Sequence, residues 1–425
     1  MIMNKRALLI AFHFPPQTGS SGIQRTLSFA KDLGDSHWDP MVLSAHSMAY
    51  EETNSSQLAD VPASLLVSRP YCLNAKRHLA ILGRYPEIIA LPDRWISWWL
   101  FAVPAGLSLI RRYRPDVIWS TFPIATAHLI GLTLQRLTGL PWIADFRDPI
   151  LQDKFPKTRL QRKAYQWVEH LAITKCDKAI FTTRAALDAY KMRFPADLHH
   201  KFAVIENGYD EDSFSSPEAV ALPAIVPVKT EERITLLHSG ALYAFGRNPT
   251  AFFGAICILK ERGLVNAAGF RVILRAPGDI QHVKNLVKTH QLEDIVSIEP
   301  AVSYQEALRE MLTVDGLLIF QGPSFNMQIP AKLYEYFRAR KPIFGLVDPD
   351  GDTAKSLALA GFRHMASMTS TDAIVPVLEN FILQIRANEA HVATDEVVTA
   401  SSRKYRAKQL AQVFNQLVKL PGSGR

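Results

Sequence analysis

A helix near the C-terminal end of the sequence carries the residues with the clearest chemistry. The stretch 322–347, GPSFNMQIPAKLYEYFRARKPIFGLV, has loop, helix and strand character in that order. Helical spacing places Leu333 and Phe337 on one apolar face and Glu335 nearly opposite, between two alanines. A carboxylate with small neighbours can accept hydrogen bonds from the two hydroxyls of a ribose. The alternative is a surface glutamate that pairs with Arg338.

Two cations close to this helix favour a phosphate ligand. Pro330 suits the first turn of a helix, and the free N–H groups expected after it, together with Lys332, favour an anion at this end. Arg247 lies in the stretch LLHSGALYAFGRNP, after a turn predicted at Ser239–Gly240. The planar fork of an arginine suits phosphate oxygens, and a solvated loop arginine is the alternative.

A glycine-containing loop near the start of the sequence is a second candidate site. In PPQTGSSGIQR, Gly19 and Gly22 flank Ser20 and Ser21. Such a loop can bring backbone N–H groups close to an anion or a sugar at the start of the following helix. The spacing differs from the G-x-G-x-x-G of dinucleotide-binding folds. The alternative is an ordinary strand-to-helix turn with Ser21 as the helix cap.

Three charged residues end another predicted strand. The stretch IADFRDP places Asp145, Arg147 and Asp148 at the carboxyl end of that strand. Open α/β sheets bind ligands outside the carboxyl ends of their strands, so these residues are candidates for contact with a polar substrate. The alternative is an ion pair between Arg147 and Asp148 that fixes the loop.

The elements that must position these residues alternate between strand and helix. The apolar segments 6–14, 116–122 and 141–146 are predicted strands of the first half, and 270–276 and 316–320 are predicted strands of the second. This alternation is typical of α/β proteins with doubly wound parallel sheets. We therefore predict two tandem Rossmann-like domains with a cleft between the carboxyl ends of their sheets.

One segment interrupts the alternation and divides the chain. Residues 216–232 contain several prolines and little periodicity, and are interpreted as an interdomain linker. We expect an N-terminal domain over 1–215, a second domain over 233–398 and a C-terminal helix within 399–425.

Composition narrows the class of protein. The 425 residues are 48% hydrophobic and 21% charged, which is typical of a globular chain. The three cysteines (Cys72, Cys176 and Cys257) are far apart and lack metal-ligand spacing, which favours a reducing compartment. The apolar N-terminal run has no small-residue cleavage site, so we interpret it as a first strand and not as a signal peptide.

The net charge of +8 suits an anionic partner. A phosphorylated substrate, an anionic membrane surface or nucleic acid would each account for it. Nucleic acid is disfavoured because the sequence has no zinc-finger spacing, no RNP-like strand and no basic run with interleaved aromatic residues. We therefore expect no nucleic-acid partner.

An aromatic and basic segment over 95–114 suggests contact with a membrane. Tryptophans and a phenylalanine precede three arginines, and the apolar core is interrupted by Pro104 and too short for a comfortable membrane span. The segment therefore fits an amphipathic helix lying at an anionic membrane surface. The alternative is a buried helix with a basic C-terminal end.

Taken in order, these motifs resemble those of GT-B glycosyltransferases, in particular the large group of retaining, nucleotide-sugar-dependent enzymes of bacterial polysaccharide and glycoconjugate synthesis. The resemblance covers nearly the whole chain. It rests on FPPQTGSSGIQR, PDVIWSTFP, IADFRDP, ENGYDEDSF, LLHSGALYAFGR and IPAKLYEYFRARKPIFG. In that family a glutamate of the last motif binds the donor ribose, which falls on Glu335. Basic residues after the first strand of the second domain bind the diphosphate, and Arg247 is the best match. The final helix crosses back onto the N-terminal domain.

The resemblance implies a glycosyltransferase that moves a sugar from a nucleotide diphosphate-sugar to a glycan or lipid-linked acceptor, with retention and without a metal ion or cofactor. We expect a cytoplasmic protein, and contact of residues 95–114 with lipid would place it peripherally on the inner face of the membrane. The residues expected to bind the donor are Gly22, Ser239, Gly240, Arg247, Gln328, Ile329, Lys332 and Glu335. The residues expected on the acceptor side are Gly19, Ser20 and Ser21. The residues expected to be catalytic are Arg147 and Asp148.

Three positions depart from the family pattern. Met327 stands where a second glutamate often precedes Glu335 by eight residues, Ala241 where an arginine often follows the glycine, and Arg147 where a histidine is frequent. The nucleotide half of the site therefore resembles the family more closely than the sugar half. Two alternatives stay open: a nucleotide-sugar epimerase of the same fold, and a non-catalytic GT-B-like protein that binds a nucleotide or a glycan.

Overall fold

The chain forms two compact units. The computed structural model of the protein describes residues 4–418 with the exception of 19–21, 81, 83, 152–155, 157, 216–232 and 244. The first unit consists of Met1–Asn207 together with Arg403–Arg425, and the second is Gly208–Ser402. The predicted linker over 216–232 lies outside the described residues. Gly208–Ser215, which the sequence-based division assigned to the first domain, packs with the second unit.

The first unit is built on a parallel sheet of seven strands in the order β3-β2-β1-β4-β5-β6-β7. The strands are β1 Lys5–Ile10, β2 Trp38–Leu43, β3 Leu66–Ser68, β4 Val117–Thr121, β5 Trp142–Asp145, β6 Lys178–Phe181 and β7 Phe202–Val204. The first strand stops short of the predicted 6–14. Ile10 pairs with Leu43, the last residue of β2, so the ladder between these two strands ends there.

Helices connect these strands. They are α1 Gly22–Asp32, α2 Ala75–His78, α3 Ser97–Tyr113, α4 Ala125–Thr138, α5 Arg159–Lys175 and α6 Arg184–Arg193, with 3-10 turns at Leu33–Ser36, Ser47–Ala49, Ser55–Asp60, Glu87–Ala90 and Ala196–Lys201. Alternate residues of β1 point to opposite faces of the sheet. Leu8 and Ile10 pack with α3 and α4, whereas Ala7 and Leu9 pack with α1 and with the C-terminal helix Arg403–Leu417. Both faces of the sheet are therefore covered, as a doubly wound parallel sheet requires.

The second unit has a parallel sheet of six strands in the order β10-β9-β8-β11-β12-β13. Its strands are β8 Ile234–Ser239, β9 Phe270–Arg275, β10 Val296–Glu299, β11 Gly316–Gln321, β12 Ile343–Val347 and β13 Met365–Ala366. Its helices are α7 Glu211–Ser215, α8 Thr250–Glu261, α9 Ile280–Thr289, α10 Tyr304–Thr313, α11 Lys332–Ala339, α12 Asp352–Leu359, α13 Thr371–Arg386 and α14 Asp395–Ala400, with a 3-10 turn at Pro323–Phe325. The neighbouring strands β8 and β11 end at the same edge of this sheet, so the loops that follow them meet there.

The fold is the predicted one, with two Rossmann-like domains of doubly wound parallel strands. Long apolar runs in the central strands account for the success of the prediction. Such strands are buried on both faces and therefore read as continuous hydrophobic segments.

Candidate functional site

The loop after β8 is shaped around the side chain of Lys332. Nζ of Lys332 donates a hydrogen bond to the carbonyl oxygen of Ser239, whose own N–H donates to the hydroxyl of Tyr336 at 3.4 Å. Gly240 has a φ of +117°, and a Cβ at this position would lie 2.7 Å from Nζ of Lys332. Both the backbone conformation and the close approach of the lysine therefore require a glycine here.

Arg247 is held at the same edge of the sheet. Nε of Arg247 donates to Oε1 of Gln321, the last residue of β11, at 3.1 Å. The guanidinium carbon lies 5.1 Å from the ring centre of Phe325 and 5.5 Å from that of Tyr243. Burial lowers the pKa of Arg247 from its ordinary value. The arginine is thus fixed in a half-buried position in which it lacks a full shell of water.

Lys332 and Arg247 form a pair of like charges. Burial, and then the charge of Arg247, lower the pKa of Lys332 to about 7, against a smaller opposing effect of Glu335. Like charges held together disfavour each other's ionised state, and a nearby anion removes the penalty. The arrangement is therefore suited to a ligand that carries concentrated negative charge, such as a diphosphate.

The backbone at the start of α11 offers fewer free N–H groups to an anion than the sequence suggested. The N–H groups of Leu333 and Tyr334 donate to the carbonyl oxygens of Pro330 and Ala331 at 2.9 and 3.2 Å. The expectation of free N–H groups is therefore wrong for these two residues. The side chain of Lys332 is the principal feature at this end of the helix that suits an anion.

Glu335 lies on the open side of α11. Leu333 and Phe337 are buried in the core of the second unit, whereas Glu335 is only half-buried. Its Oε1 accepts a hydrogen bond from the hydroxyl of Tyr304 at 2.8 Å. The alternative partner, Arg338, pairs instead with Glu211 at 2.6 Å, so the predicted alternative of a pair with Glu335 is wrong.

The contact with Tyr304 orients the carboxylate of Glu335 without saturating it. A phenol hydroxyl occupies one acceptor position, and an ionised carboxylate offers about four. Glu335 therefore keeps the capacity to accept hydrogen bonds from two neighbouring hydroxyls. It lies on the same helix as Lys332, three residues further on.

Two of the predicted donor-binding residues hold the loop before α11 in place. The side chain of Ile329 is buried in the apolar core, so it is not available to a ligand. The carbonyl oxygen of Gln328 accepts hydrogen bonds from the amide of Gln321 at 3.3 Å and from the hydroxyl of Thr353 at 3.1 Å. These contacts fix the positions of Phe325 and Met327, which lie earlier in the same loop.

In the first unit, Asp145 forms a buried ion pair at the carboxyl end of β5. Its two oxygens accept hydrogen bonds from Nε and Nη2 of Arg25 at 2.8 and 3.3 Å. Arg25 also donates to the carbonyl oxygens of Ile205 and Glu206, each at 2.9 Å. The pair therefore ties α1 to β5 and to the segment after β7, which gives Asp145 a structural role.

Arg147 is buried beside the first residue of α1. Its φ is 36°, and a Cβ at Gly22 would lie 2.1 Å from Nη1 of Arg147 and 3.0 Å from Nδ1 of His13. Burial lowers the pKa of Arg147, and the charge of Asp148 opposes the shift. Burial and the charge of Arg147 lower the pKa of His13 to about 3, so this imidazole is neutral at physiological pH.

The predicted site residues thus fall into two groups, each within one unit. Those of the first unit that the structure brings together are Gly22, Arg147 and Asp148. Those of the second unit are Ser239, Gly240, Arg247, Gln328, Lys332 and Glu335, with Ile329 behind them in the core. The acceptor-side residues Gly19, Ser20 and Ser21 lie outside the described residues.

Sequence reasoning missed several residues of the second group. Gln321 ends a buried strand, and a polar residue at that point of the pattern was a usable signal. Tyr304 gave no signal, because its contact with Glu335 joins two helices across 31 positions of the chain. Phe325 and Tyr243 looked like ordinary loop residues, although their rings flank Arg247.

Two features of the described part of the chain concern membranes and metals. None of its helices is long and apolar enough to cross a bilayer. None of its histidine, cysteine, aspartate and glutamate side chains come together in threes in a way that could hold a metal ion.

Part of the chain matches a known family. Residues 25–208 match the model of the glycosyl transferase 4-like domain. No curated protein matches the full sequence. The matched segment spans most of the first unit, including Arg147 and Asp148.

Solved structures resemble the whole chain. Sucrose-phosphate synthase from Thermosynechococcus elongatus is 15% identical with a TM-score of 0.62, over 97% of this chain and 99% of that one. HepE of Anabaena, in complex with UDP, is 13% identical with a TM-score of 0.63, over 97% and 100%. A glycosyltransferase from Rickettsia africae is 13% identical with a TM-score of 0.59, over 98% and 99%. At these identities the similarity establishes the fold.

Proposed function

Since the chain is a glycosyltransferase of the GT-B fold, we propose that it transfers a sugar from a nucleotide diphosphate-sugar to a glycan or lipid-linked acceptor. The observation that carries this proposal is the cation pair of Arg247 and Lys332 beside Glu335. The pair suits the diphosphate, and Glu335 suits the ribose hydroxyls. The presence of UDP in the similar structure of Anabaena HepE supports a nucleotide ligand for this fold.

The chemistry of this site follows from the charge of the leaving group. When the bond between the sugar and the diphosphate breaks, the diphosphate gains negative charge. Arg247 and Lys332 stabilise that charge directly, so the proposed reaction needs no divalent ion at this point. Removal of one such contact typically costs on the order of a hundredfold to a thousandfold in rate.

Three finer points are also proposals. We propose that the transfer retains the configuration at the anomeric carbon, on the strength of the resemblance to retaining enzymes, and NMR of the product anomer tests this. Arg147 and Asp148 stay the predicted catalytic residues of the first unit. Incubation with the donor alone separates a transferase from the alternative epimerase, because an epimerase changes the donor sugar without an acceptor.

For the acceptor, we propose a lipid-linked molecule at an anionic membrane surface. Helix α3 supports this because its exposed face carries apolar side chains followed by basic ones. Trp98, Ala102 and Leu109 point into the core, whereas the exposed side carries Leu100 and Phe101 in its first half and arginines in its last turn. The ring of Phe101 packs edge-on against the exposed ring of Tyr71, 6.1 Å between centres. Apolar groups next to cations are typical of a peripheral membrane contact.

Vesicle sedimentation tests the membrane proposal. The protein should bind vesicles that contain anionic lipid, and high salt should release it. The variant Phe101→Ser should bind several-fold more weakly, and Leu137→Ser, which removes an exposed leucine from α4, serves as the control. Equal binding to neutral and anionic vesicles would contradict the proposal.

Nucleotide binding tests the central proposal. We expect one of UDP, GDP, ADP or CMP, or its sugar derivative, to raise the melting temperature and to bind in calorimetry. Lys332→Met should weaken this binding at least tenfold, because a charge-assisted contact is worth about 1.5–3 kcal/mol. Lys355→Met, at an exposed lysine of α12, is the matched control. Equal affinity in the two variants would overturn the proposal.

A further inference from the structure

The second unit carries an exposed aromatic surface next to the proposed diphosphate site. Tyr243 and Phe245 are 43% and 57% exposed, and Met327 is 42% exposed. The rings of Tyr243 and Phe245 stack with centres 6.4 Å apart, and Phe245 lies 6.0 Å from Phe325. We refer to these four residues as the aromatic platform. Contiguous apolar groups on a surface generally mark a binding site.

The platform is built by two loops that are joined to each other. The N–H of Gly322 donates to the carbonyl oxygen of Gly246 at 2.8 Å. Gly246 has a φ of +76°, and a Cβ there would lie 2.5 Å from the ring of Phe325. The close approach of backbone and ring therefore fixes the platform in one geometry.

Arg247 links the platform to the diphosphate site. Its guanidinium group lies over the rings of Tyr243 and Phe325. The charge of Arg247 also contributes, after burial, to the lowered pKa of Lys332. The proposed ribose position, Glu335, lies on the same helix as Lys332, whereas the platform adjoins Arg247. With the ribose at Glu335, the other end of the diphosphate points toward Arg247 and the platform, and the group attached there is the sugar to be transferred.

Apart from the hydroxyl of Tyr243, the side chains of the platform offer carbon and sulfur where sugar sites commonly offer polar groups. The described residues of loops 240–248 and 322–328 include no carboxylate. The amide of Asn326 is turned inward, where Nδ2 donates to Oδ2 of Asp348 at 3.1 Å. The amide of Gln321 bonds to Arg247 and to the carbonyl oxygen of Gln328. A sugar hydroxyl placed on Phe245, Phe325 or Met327 would therefore lose water without gaining a hydrogen bond from those side chains, which is unfavourable.

This inference rests on the proposed function and extends it to the class of sugar. We propose that the transferred sugar carries a methyl-bearing substituent, in the form of a 6-deoxy carbon or an N-acetyl group, that packs against the aromatic platform. A buried methyl group is stabilised by removal from water and by contact with the ring faces. One methyl group in an apolar pocket changes the preference between two otherwise identical ligands about tenfold.

The test compares sugars on one nucleotide. For the base identified by screening, calorimetry measures the affinity of the bare diphosphate, its hexose, its 6-deoxyhexose and its N-acetylhexosamine. We expect one of the two methyl-bearing donors to bind roughly tenfold more tightly than the hexose. The arm that shows the gain identifies which methyl-bearing group is used.

Two variants and a control make the test specific. Phe245→Ala should abolish the preference for the methyl-bearing sugar and leave the affinity for the bare diphosphate unchanged. Met327→Glu should shift the preference toward the hexose, because it adds an acceptor for hydroxyls. Leu359→Ala removes an exposed apolar side chain of α12 and should change neither affinity.

The outcomes separate this inference from the proposed function. If the bare diphosphate binds but the hexose binds as tightly as both methyl-bearing donors, the inference is overturned and the proposed function stands. A preference that survives in both Phe245→Ala and Met327→Glu also overturns it. If no nucleotide diphosphate binds, the proposed function fails and the inference falls with it.

Discussion

Binding of a nucleotide-sugar should draw a proton from solution. Lys332 has a pKa of about 7 in the free protein because it is buried and lies near Arg247. A diphosphate placed between the two cations favours the charged lysine and should return its pKa toward the ordinary value near 10.4. The lysine must then take up a proton whenever it is neutral before binding.

The size of the uptake follows from the pKa. At pH 7.5 a lysine with a pKa of about 7 is about one-quarter protonated, so binding takes up about 0.75 proton per site, against about 0.1 at pH 6. The dissociation constant should rise about eightfold between pH 7.5 and 8.5 and less than about twofold between pH 6 and 7. Two neighbouring groups do not mimic this effect, because burial holds the pKa of His238 well below this range and raises the pKa of Tyr336 far above it.

Calorimetry in two buffers measures the uptake directly. Titration with the donor sugar in HEPES and in Tris, which differ in ionisation enthalpy, gives the number of protons from the difference in apparent binding enthalpy. The intact donor must be used, because its diphosphate is esterified at both ends and lacks the terminal phosphate proton that titrates near pH 6. Lys332→Arg supplies the control, since an arginine stays charged and should bind without proton uptake.

The result that would refute the reasoning is binding with no proton uptake at pH 7.5. A second readout is the free energy of unfolding in the absence of ligand. Between pH 7 and about 10.4 the unfolded chain holds a proton on Lys332 that the folded chain has lost, so this lysine makes stability rise with pH through that window. The contribution is at its lowest below pH 7. Lys332→Met should remove this part of the slope.

Two further predictions concern other residues. Glu335→Ala should weaken donor binding about tenfold to a hundredfold at an unchanged melting temperature, and Glu335→Gln should weaken it less. Tyr304→Phe should weaken donor binding about threefold to tenfold, as measured by calorimetry. If Glu335 binds the ribose, Tyr304→Phe should have no effect on the affinity for a deoxyribose nucleotide. Arg25→Ala leaves the carboxylate of Asp145 buried and uncompensated and should reduce the free energy of unfolding by about 3–5 kcal/mol, measured by urea denaturation; a loss below about 1 kcal/mol would contradict a structural role for the pair.

The sheets could be predicted from the sequence because their strands are buried on both faces. Segments such as Gly316–Gln321 and Ile343–Val347 are almost wholly apolar, and the pattern shows where each one lies. The predicted ends of the elements were less accurate: β1 ends at Ile10, whereas the predicted strand ran to residue 14. The final helix Arg403–Leu417 was predicted as a helix, but its packing partner was implied by the resemblance alone. Local patterns carry no information on which distant surface an apolar face covers.

The candidate site was predictable where chemistry resides in one residue of unusual type. Glu335 stood out as a charge opposite the apolar face of its helix, and Lys332 and Arg247 as cations close to the predicted starts of helices. Contacts that join distant segments were not readable, because they depend on tertiary packing. Tyr304 and Glu335 are 31 positions apart, and the pairing of Arg25 with Asp145 spans 120 positions.

The arrangement of the chain also has a consequence for its synthesis. The first unit is interrupted by the second, and is completed by Arg403–Leu417, whose Phe414 packs edge-on against Trp38 at 5.0 Å. At about 5–20 residues per second, translation of Gly208–Ser402 takes on the order of ten to forty seconds. Throughout that time the nascent first unit exposes the apolar surface around Trp38. The first unit can therefore be completed only after the second has been synthesised, whereas the second unit is one uninterrupted stretch of chain and can fold as soon as it emerges.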